Sequence, residues 1–365
     1  MPGVYISYPF CSQKCTYCNF ASGVLPKALE GAYVDALVRE IGGYEWPWQP
    51  ETVYLGGGTP SNMALRSLEK VLATIPARPW REATIEAAPG GIAREVAEGW
   101  IASGITRVSL GVQSFVQGEL SRTGRKHTAE IVADEIGALR AAGLDNINVD
   151  LIAGLPGQTR ESWMESLHRI EKLAPPHVSV YMLEVDEDSR LGNEILLNGK
   201  RYGAPEVPSD GLIAELYETA VGELARMGIE RYEISNFARP GFESLHNLKY
   251  WRLEPYLGFG ADAHSFDGES RSQNAESAQE YVDRVGNGRS ACVESVAARR
   301  DEERFFVGLR LSKGVQLRTD EEVRFRKPIR RFVSEGLLAQ DGRNLRLTDR
   351  GVLFSNEVFA EFIES

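Results

Sequence analysis

Cysteine is scarce in this chain: four residues in 365, three of which, Cys11, Cys15 and Cys18, crowd into the stretch PFCSQKCTYCNF. A chain this long buries a sizeable core without covalent staples, so the small disulfide-built scaffold is excluded. Long apolar runs are missing too, and no window reaches the ~18 uninterrupted apolar residues of a membrane span. The opening MPGVYISYPF lacks the basic head, apolar run and small-residue cleavage site of a secretory signal, which makes the cytoplasm the expected compartment. Positive charge is in deficit, with 41 Lys and Arg against 52 Asp and Glu, and a net charge of −11 disfavours a broad grip on polyanions. That acidity belongs to the first 300 residues, since Asp301 to Ser365 carries twelve residues of each sign. No low-complexity linker interrupts the sequence.

What is present is an alternation. Short β-rich runs at Val4–Tyr8, Thr52–Leu55, Thr84–Ala87, Arg107–Leu110, Asn146–Ile152 and Val178–Leu183 alternate with amphipathic segments. Leu29–Ile41 repeats an apolar residue every four positions, and Thr128–Ala142 opens on a Thr cap and closes at Gly143. Six strand-then-helix units predict an α/β fold built on a partial parallel (β/α)6 barrel, with a doubly wound sheet as the competing topology. Residues 1–200 form the barrel core in this reading. Residues 201–296 extend it with a helix from Ser209 to Met227, a strand near Tyr232–Ile234 and the motif HNLKYW. Residues 297–365 read as helices followed by a hairpin turning at Asp341-Gly342, a C-terminal winged-helix-like domain.

A reducing compartment makes clustered thiols a metal or redox site. Three cysteines on one loop after the first strand can converge on a single inorganic centre. Structural zinc would require a fourth Cys or His, and Cys292 is far away in sequence. Ordinary iron–sulfur clusters also take four protein ligands, so three leave one iron open to a small molecule. Cys-x3-Cys-x2-Cys with Tyr17 before the last cysteine resembles the radical S-adenosylmethionine (SAM) superfamily. That resemblance implies a [4Fe-4S] cluster on Cys11, Cys15 and Cys18, with SAM chelated at the free iron and an electron donor as a partner.

Other motifs fall where a parallel barrel places its chemistry, at the C-terminal strand ends. LGGGTP, from Leu55 to Pro60, follows the second strand, and its bare backbone permits close approach, although such a sequence is also an ordinary turn. Glu86 ends the third strand, Gln113 follows the fourth and Asp150 lies late on the fifth. Polar side chains on buried strands need partners, which a ligand bearing hydroxyls and an amine would supply. Arg125 could face a carboxylate as a rigid fork or sit in solvent. With the cysteines, these motifs resemble the coproporphyrinogen III dehydrogenase (HemN) branch and, more closely, the HemW family. By that resemblance Tyr5, Gly57 and Glu86 contact cluster-bound SAM, while Tyr17, Gly58, Thr59, Gln113, Arg125 and Asp150 match the surroundings of a second SAM.

Two departures separate this chain from the dehydrogenase. A further Cys two residues after the third is absent, since the chain reads Cys18-Asn19-Phe20, and only ten residues precede Cys11. HNLKYW, from His246 to Trp251, is similar to the HemW motif His-Asn-x-x-Tyr-Trp, which implies haem as a ligand with His246, Tyr250 and Trp251 as its contacts. A His beside aromatics also serves as a packed, hydrogen-bonded residue. His264 is a second candidate, nearer to a SAM-facing position, whereas His127, His168 and His177 are expected at the surface and Cys292 in the core. The resemblance favours a haem chaperone that passes haem to acceptor proteins, ahead of a coproporphyrinogen decarboxylase and of a redox-responsive winged-helix regulator. Nucleic acid is not an expected partner, membrane contact would come only through an acceptor, and a homodimer is left open. GFGADA (Gly258 to Ala263) fits G-x-G-x-x-A, but HSFDGES after it reads as a loop, which argues against dinucleotide binding.

Overall fold

A computed structural model describes residues 2–363. Six parallel strands lie side by side in chain order: β1 (Gly3–Tyr8), β2 (Thr52–Gly57), β3 (Glu82–Ala87), β4 (Arg107–Gln113), β5 (Ile147–Ala153) and β6 (His177–Met182). Their periodicity of two sets which side chains face the helices and which face the interior. Val4, Ile6, Val53, Leu55, Ala83, Ile85, Val108, Leu110, Val149 and Leu151 are fully buried under the helices, while the alternating positions, including Tyr5, Tyr54, Glu86, Ser109 and Asp150, turn into the barrel. The helices follow local signals. Thr128 caps Ala129–Ala142 by accepting from the Ile131 amide, and Gly143 ends it in the left-handed region at φ 96°. Arg160–Leu173 starts with a capping box between Thr159 and Ser162, and Ser209 caps Asp210–Arg226.

The six predicted barrel strands all form, with ends within three residues of those expected. The expected strand near Tyr232–Ile234 does not. That segment instead bends between β7 (Glu230–Arg231) and β8 (Asn236–Ala238), because Tyr232 and Glu233 turn back onto the Asn236 carbonyl and Ile234 bonds to Arg310. Strand β8 runs antiparallel on β6. On the other side, β9 (Tyr256–Phe259) pairs parallel with β1, and β10 (His264–Phe266), β11 (Ser270–Asn274) and β12 (Cys292–Ala297) continue outward antiparallel. The result is a twelve-stranded sheet wound into an open barrel rather than a doubly wound sheet. GFGADA runs from β9 into the turn before β10 with no helix after it. Cys292, expected in the core, is half-buried on the edge strand β12.

The C-terminal unit matches the expected winged-helix-like pattern. Helices Arg300–Gly308, Thr319–Arg324 and Arg326–Ser334 precede the hairpin of β14 (Leu338–Asp341) and β15 (Asn344–Leu347), and β13 (Val315–Gln316) joins β15 as a third strand. Phe305, Phe325 and Phe362 pack ring against ring at its centre, with centroids 4.6 to 5.3 Å apart.

The N-terminal end of the barrel is plugged by the helix Leu245–Trp251. Glu82, at the start of β3, accepts from the backbone amides of Leu245 (3.0 Å) and His246 (2.9 Å), so a carboxylate from a distant strand caps this short helix. Arg107, 2% exposed, holds the chain leading to it through the Phe242 carbonyl at 3.2 Å. Among the described residues, no helix is long and apolar enough to cross a membrane.

Candidate functional site

At the opposite end of the barrel, where the parallel strands finish, lies a cavity of about 810 Å³. Its wall takes in Cys11, Cys15, Cys18, Tyr17, Gly57, Gly58, Thr59, Glu86, Gln113, Arg125 and Asp150, so residues from 140 positions of sequence share one concavity. The cysteine loop is anchored at both ends. Cys11 donates its amide to the Gly23 carbonyl at 2.8 Å, and the amides of Gly58 and Thr59 donate to the Tyr8 and Phe10 carbonyls at 2.8 and 2.9 Å. A side chain at Gly58 would meet those same carbonyls at 2.7 to 2.8 Å, so glycine here lets the cysteine loop pass over the end of β2.

All three thiols are free and half-buried. Burial pushes the Cys18 thiol up. Among the described residues no three His, Cys, Asp or Glu donors are placed to hold one metal ion. Three thiols from one loop are a donor set that suits an iron–sulfur cluster with one iron left open, whereas structural zinc takes four protein ligands.

The rest of the wall is polar and partly unsatisfied. Arg125 donates to the Gly111 carbonyl at 2.8 Å and reaches the Tyr17 hydroxyl at 3.4 Å, yet its buried Nε has no partner. A guanidinium with a spare donor against a cavity suits a carboxylate. Glu86 accepts from Tyr54 at 2.8 Å, and burial, with the Asp150 charge behind it, pushes its carboxyl up to about 7. Asp150 is likewise raised by burial, even as it accepts from Ser109 (3.2 Å) and Asn148 (2.7 Å). A buried carboxylate held this way gains from an incoming amine or hydroxyl. Gln113 stands at φ +70° where β4 bulges away from β5, a left-handed backbone costly for a non-glycine residue. These features fit SAM: an amine acceptor, a carboxylate donor and hydroxyl partners around one cavity.

Five of the candidate residues are not brought into that wall. Tyr5 lies inside the barrel below it, its ring stacked on Tyr54 with centroids 6.1 Å apart. His264 is exposed on β10. His246, Tyr250 and Trp251 sit at the plugged base. His246 is 0% exposed, with Nδ1 on the Thr52 hydroxyl and Nε2 on the Tyr250 hydroxyl, each at 2.8 Å. Trp251 packs under the Arg310 guanidinium, 4.3 Å from its ring centre.

Two histidines expected at the surface are buried, for reasons invisible to local sequence. His177 opens β6 and is bonded by Asn148 at 2.6 Å and Tyr232 at 2.9 Å. His127 faces the Val112 carbonyl at 3.1 Å and lines the cavity. His168 is exposed, as expected.

Comparison with known proteins agrees with this geometry. Residues 5–170 match the radical SAM superfamily and residues 299–354 the HemN C-terminal domain. The haem chaperone HemW of Lactococcus lactis is 34% identical over 98% of this chain and 96% of its own length. That of Bacillus subtilis is 32% identical over 100% and 99%. The solved structure of coproporphyrinogen III oxidase (HemN) from Escherichia coli superposes with a TM-score of 0.84 over 99% of this chain and 90% of that one, at 22% identity, which shows the fold. On the strength of that end-to-end relationship and the cysteine-lined barrel mouth, the chain belongs to the HemW family within the radical SAM superfamily.

Proposed function

We propose that this protein is a haem chaperone that binds haem and delivers it to acceptor proteins, with a [4Fe-4S] cluster on Cys11, Cys15 and Cys18 and exchangeable SAM at the barrel mouth. The observation that carries the reading is the full-length relationship to proteins named haem chaperones at 34% and 32% identity, against 22% for the oxidase that shares the fold. Phe20 supports it, standing 67% exposed on the cavity rim where the dehydrogenase pattern has a cysteine. When bound, the cluster and SAM supply one-electron reduction of a sulfonium. The chain's own part is positional: Arg125 offers its spare donor to a carboxylate, Glu86 accepts an amine, and Asp150 and Gln113 offer partners to hydroxyls.

Haem ligation by His246 is part of the same proposal, but it cannot occur in the conformation described. Both ring nitrogens are committed, so an iron bond there requires the contact to Thr52 or to Tyr250 to break. The test is anaerobic reconstitution followed by haem and, separately, coproporphyrinogen with SAM. The expected result is a Soret band and no decarboxylated product. Stoichiometric vinyl formation would reverse the reading in favour of the decarboxylase.

A further inference from the structure

The cysteine loop contains two hydroxyls that are buried and unpartnered, Thr16 Oγ1 and Ser22 Oγ. Buried hydroxyls in native proteins are almost always bonded, and serine ordinarily turns back onto a nearby backbone carbonyl. Around Ser22 those carbonyls are occupied. Phe20 O takes the Ser22 amide at 2.7 Å and the Lys14 ammonium at 3.2 Å, Pro9 O takes the Gly23 amide at 2.9 Å, and Gly23 O takes the Cys11 amide at 2.8 Å. The same bonds fix where Ser22 stands. Gly23 bridges Phe10, so the residue before it is clamped beside Cys11. Ser22 is 9% exposed and is part of the lining of the cavity that holds all three thiols. Thr16, 3% exposed, is pinned by its backbone to Thr123 and Leu191 and does not line that cavity.

We propose that Ser22 donates a hydrogen bond to a sulfur on the Cys11 side of the group held by the three cysteines and thereby sets its reduction potential. This rests on the cluster reading above. A hydroxyl dipole aimed at sulfur stabilises the added negative charge of the reduced cluster, which raises the potential. Ser22 is thus a positioning and tuning residue rather than a ligand, and its hydroxyl is left without a partner only until that sulfur is in place.

The experiment is redox titration, followed by electron paramagnetic resonance, of reconstituted full-length protein and of Ser22→Ala, Ser22→Thr and Thr16→Ala. Loss of one ordinary hydrogen bond changes the reduction equilibrium about fivefold, so Ser22→Ala is expected about 40 mV more negative for a one-electron couple. Ser22→Thr keeps the donor and Thr16→Ala removes one that does not face the cavity, so both should stay at the wild-type value. An unmoved potential in a fully loaded Ser22→Ala protein overturns the proposal, and so does an equal shift in Thr16→Ala, which would mark a general disturbance of the loop. Ser22→Ala removes a hydroxyl that bonds nothing in the fold, so folding is expected to be intact. A variant that folds but loses its iron while Ser22→Thr retains it would make Ser22 structural for loading and would also overturn the tuning role. A wild-type protein that takes up no iron and sulfide fails earlier, at the cluster itself.

Discussion

The two ends of the barrel are built on opposite principles. At the base, polar groups are buried and paired: His246 has a partner on each ring nitrogen, His177 likewise, and Glu82 and Arg107 are bonded to the plug helix or the chain leading to it. At the mouth, Arg125 Nε and Ser22 Oγ are buried without partners, three thiols are free, and Glu86 and Asp150 are raised by burial. Thr84 Oγ1 and Trp251 Nε1 are also unpartnered, so the division is not complete. The difference teaches that titratable and aromatic residue types alone do not mark a ligand site. A satisfied cluster resists change, and an unsatisfied one is completed by something that binds. Tyr54 touches both ends, stacked on His246 at 5.2 Å and hydrogen-bonded to Glu86.

The comparison can be broken most directly at the mouth. Cys15→Ser leaves two thiols on the loop and should abolish the cluster, with iron content at background and an unchanged far-ultraviolet circular dichroism spectrum, because serine keeps a hydrogen-bonding group beside Tyr17 and Arg125 and Cys15 forms no disulfide. Full iron retention would move the cluster elsewhere. At the base the expectation is reversed. His246→Ala deletes a fully buried ring and strands the Thr52 and Tyr250 hydroxyls, at a cost of about 3 kcal/mol in urea unfolding. Tyr17→Phe, which removes a mouth hydroxyl that accepts from Arg125 at 3.4 Å, should cost under about 1 kcal/mol. A His246→Ala protein of wild-type stability that no longer binds haem would show that the base is a ligand site after all.

How far these two ends were legible in the sequence follows from the range of the interactions that build them. The six strands and the capped helices are local patterns, and Thr128 with Gly143 or Ser209 fixes a helix within a turn of itself. The cysteine loop carries its spacing within eight residues, and the mouth residues ride on strand ends whose position the barrel dictates. The base is non-local. Glu82 caps a helix 163 positions further on, and His246 meets Thr52 across 194. Nothing near His246 distinguishes a ligand from a packed ring. His177 is expected at the surface for the same reason, its partners lying 29 and 55 positions away. Cys292 errs the other way: a cysteine outside any motif is ordinarily a buried apolar residue, but β12 is the last strand of the sheet and pairs with β11 alone.

The smallest expected effect is also the one that sets the two ends against each other, through pH. Burial pushes His246 down to about 3, below its unfolded value near 6.5, so the unfolded chain binds more protons between those limits and the base loses stability as pH falls through that window. His127, pushed down to about 4 by burial and the Arg125 charge, acts in the same direction. Glu86 has the opposite sign. Its carboxyl is raised from 4.5 to about 7, so the folded chain binds the extra proton, and the contribution is fully present below pH 4.5 and lost as pH rises through 7. Between pH 4.5 and 6.5 Glu86 therefore offsets part of what the two histidines lose. Glu86→Gln should steepen the fall in urea midpoint on acidification from pH 7 to 4.5, and an unchanged slope would mean that Glu86 is already ionised in the folded protein. An ammonium beside Glu86 holds the carboxylate charged, so protein loaded with its cluster and SAM should follow the steeper curve of the variant even though it carries the native residue.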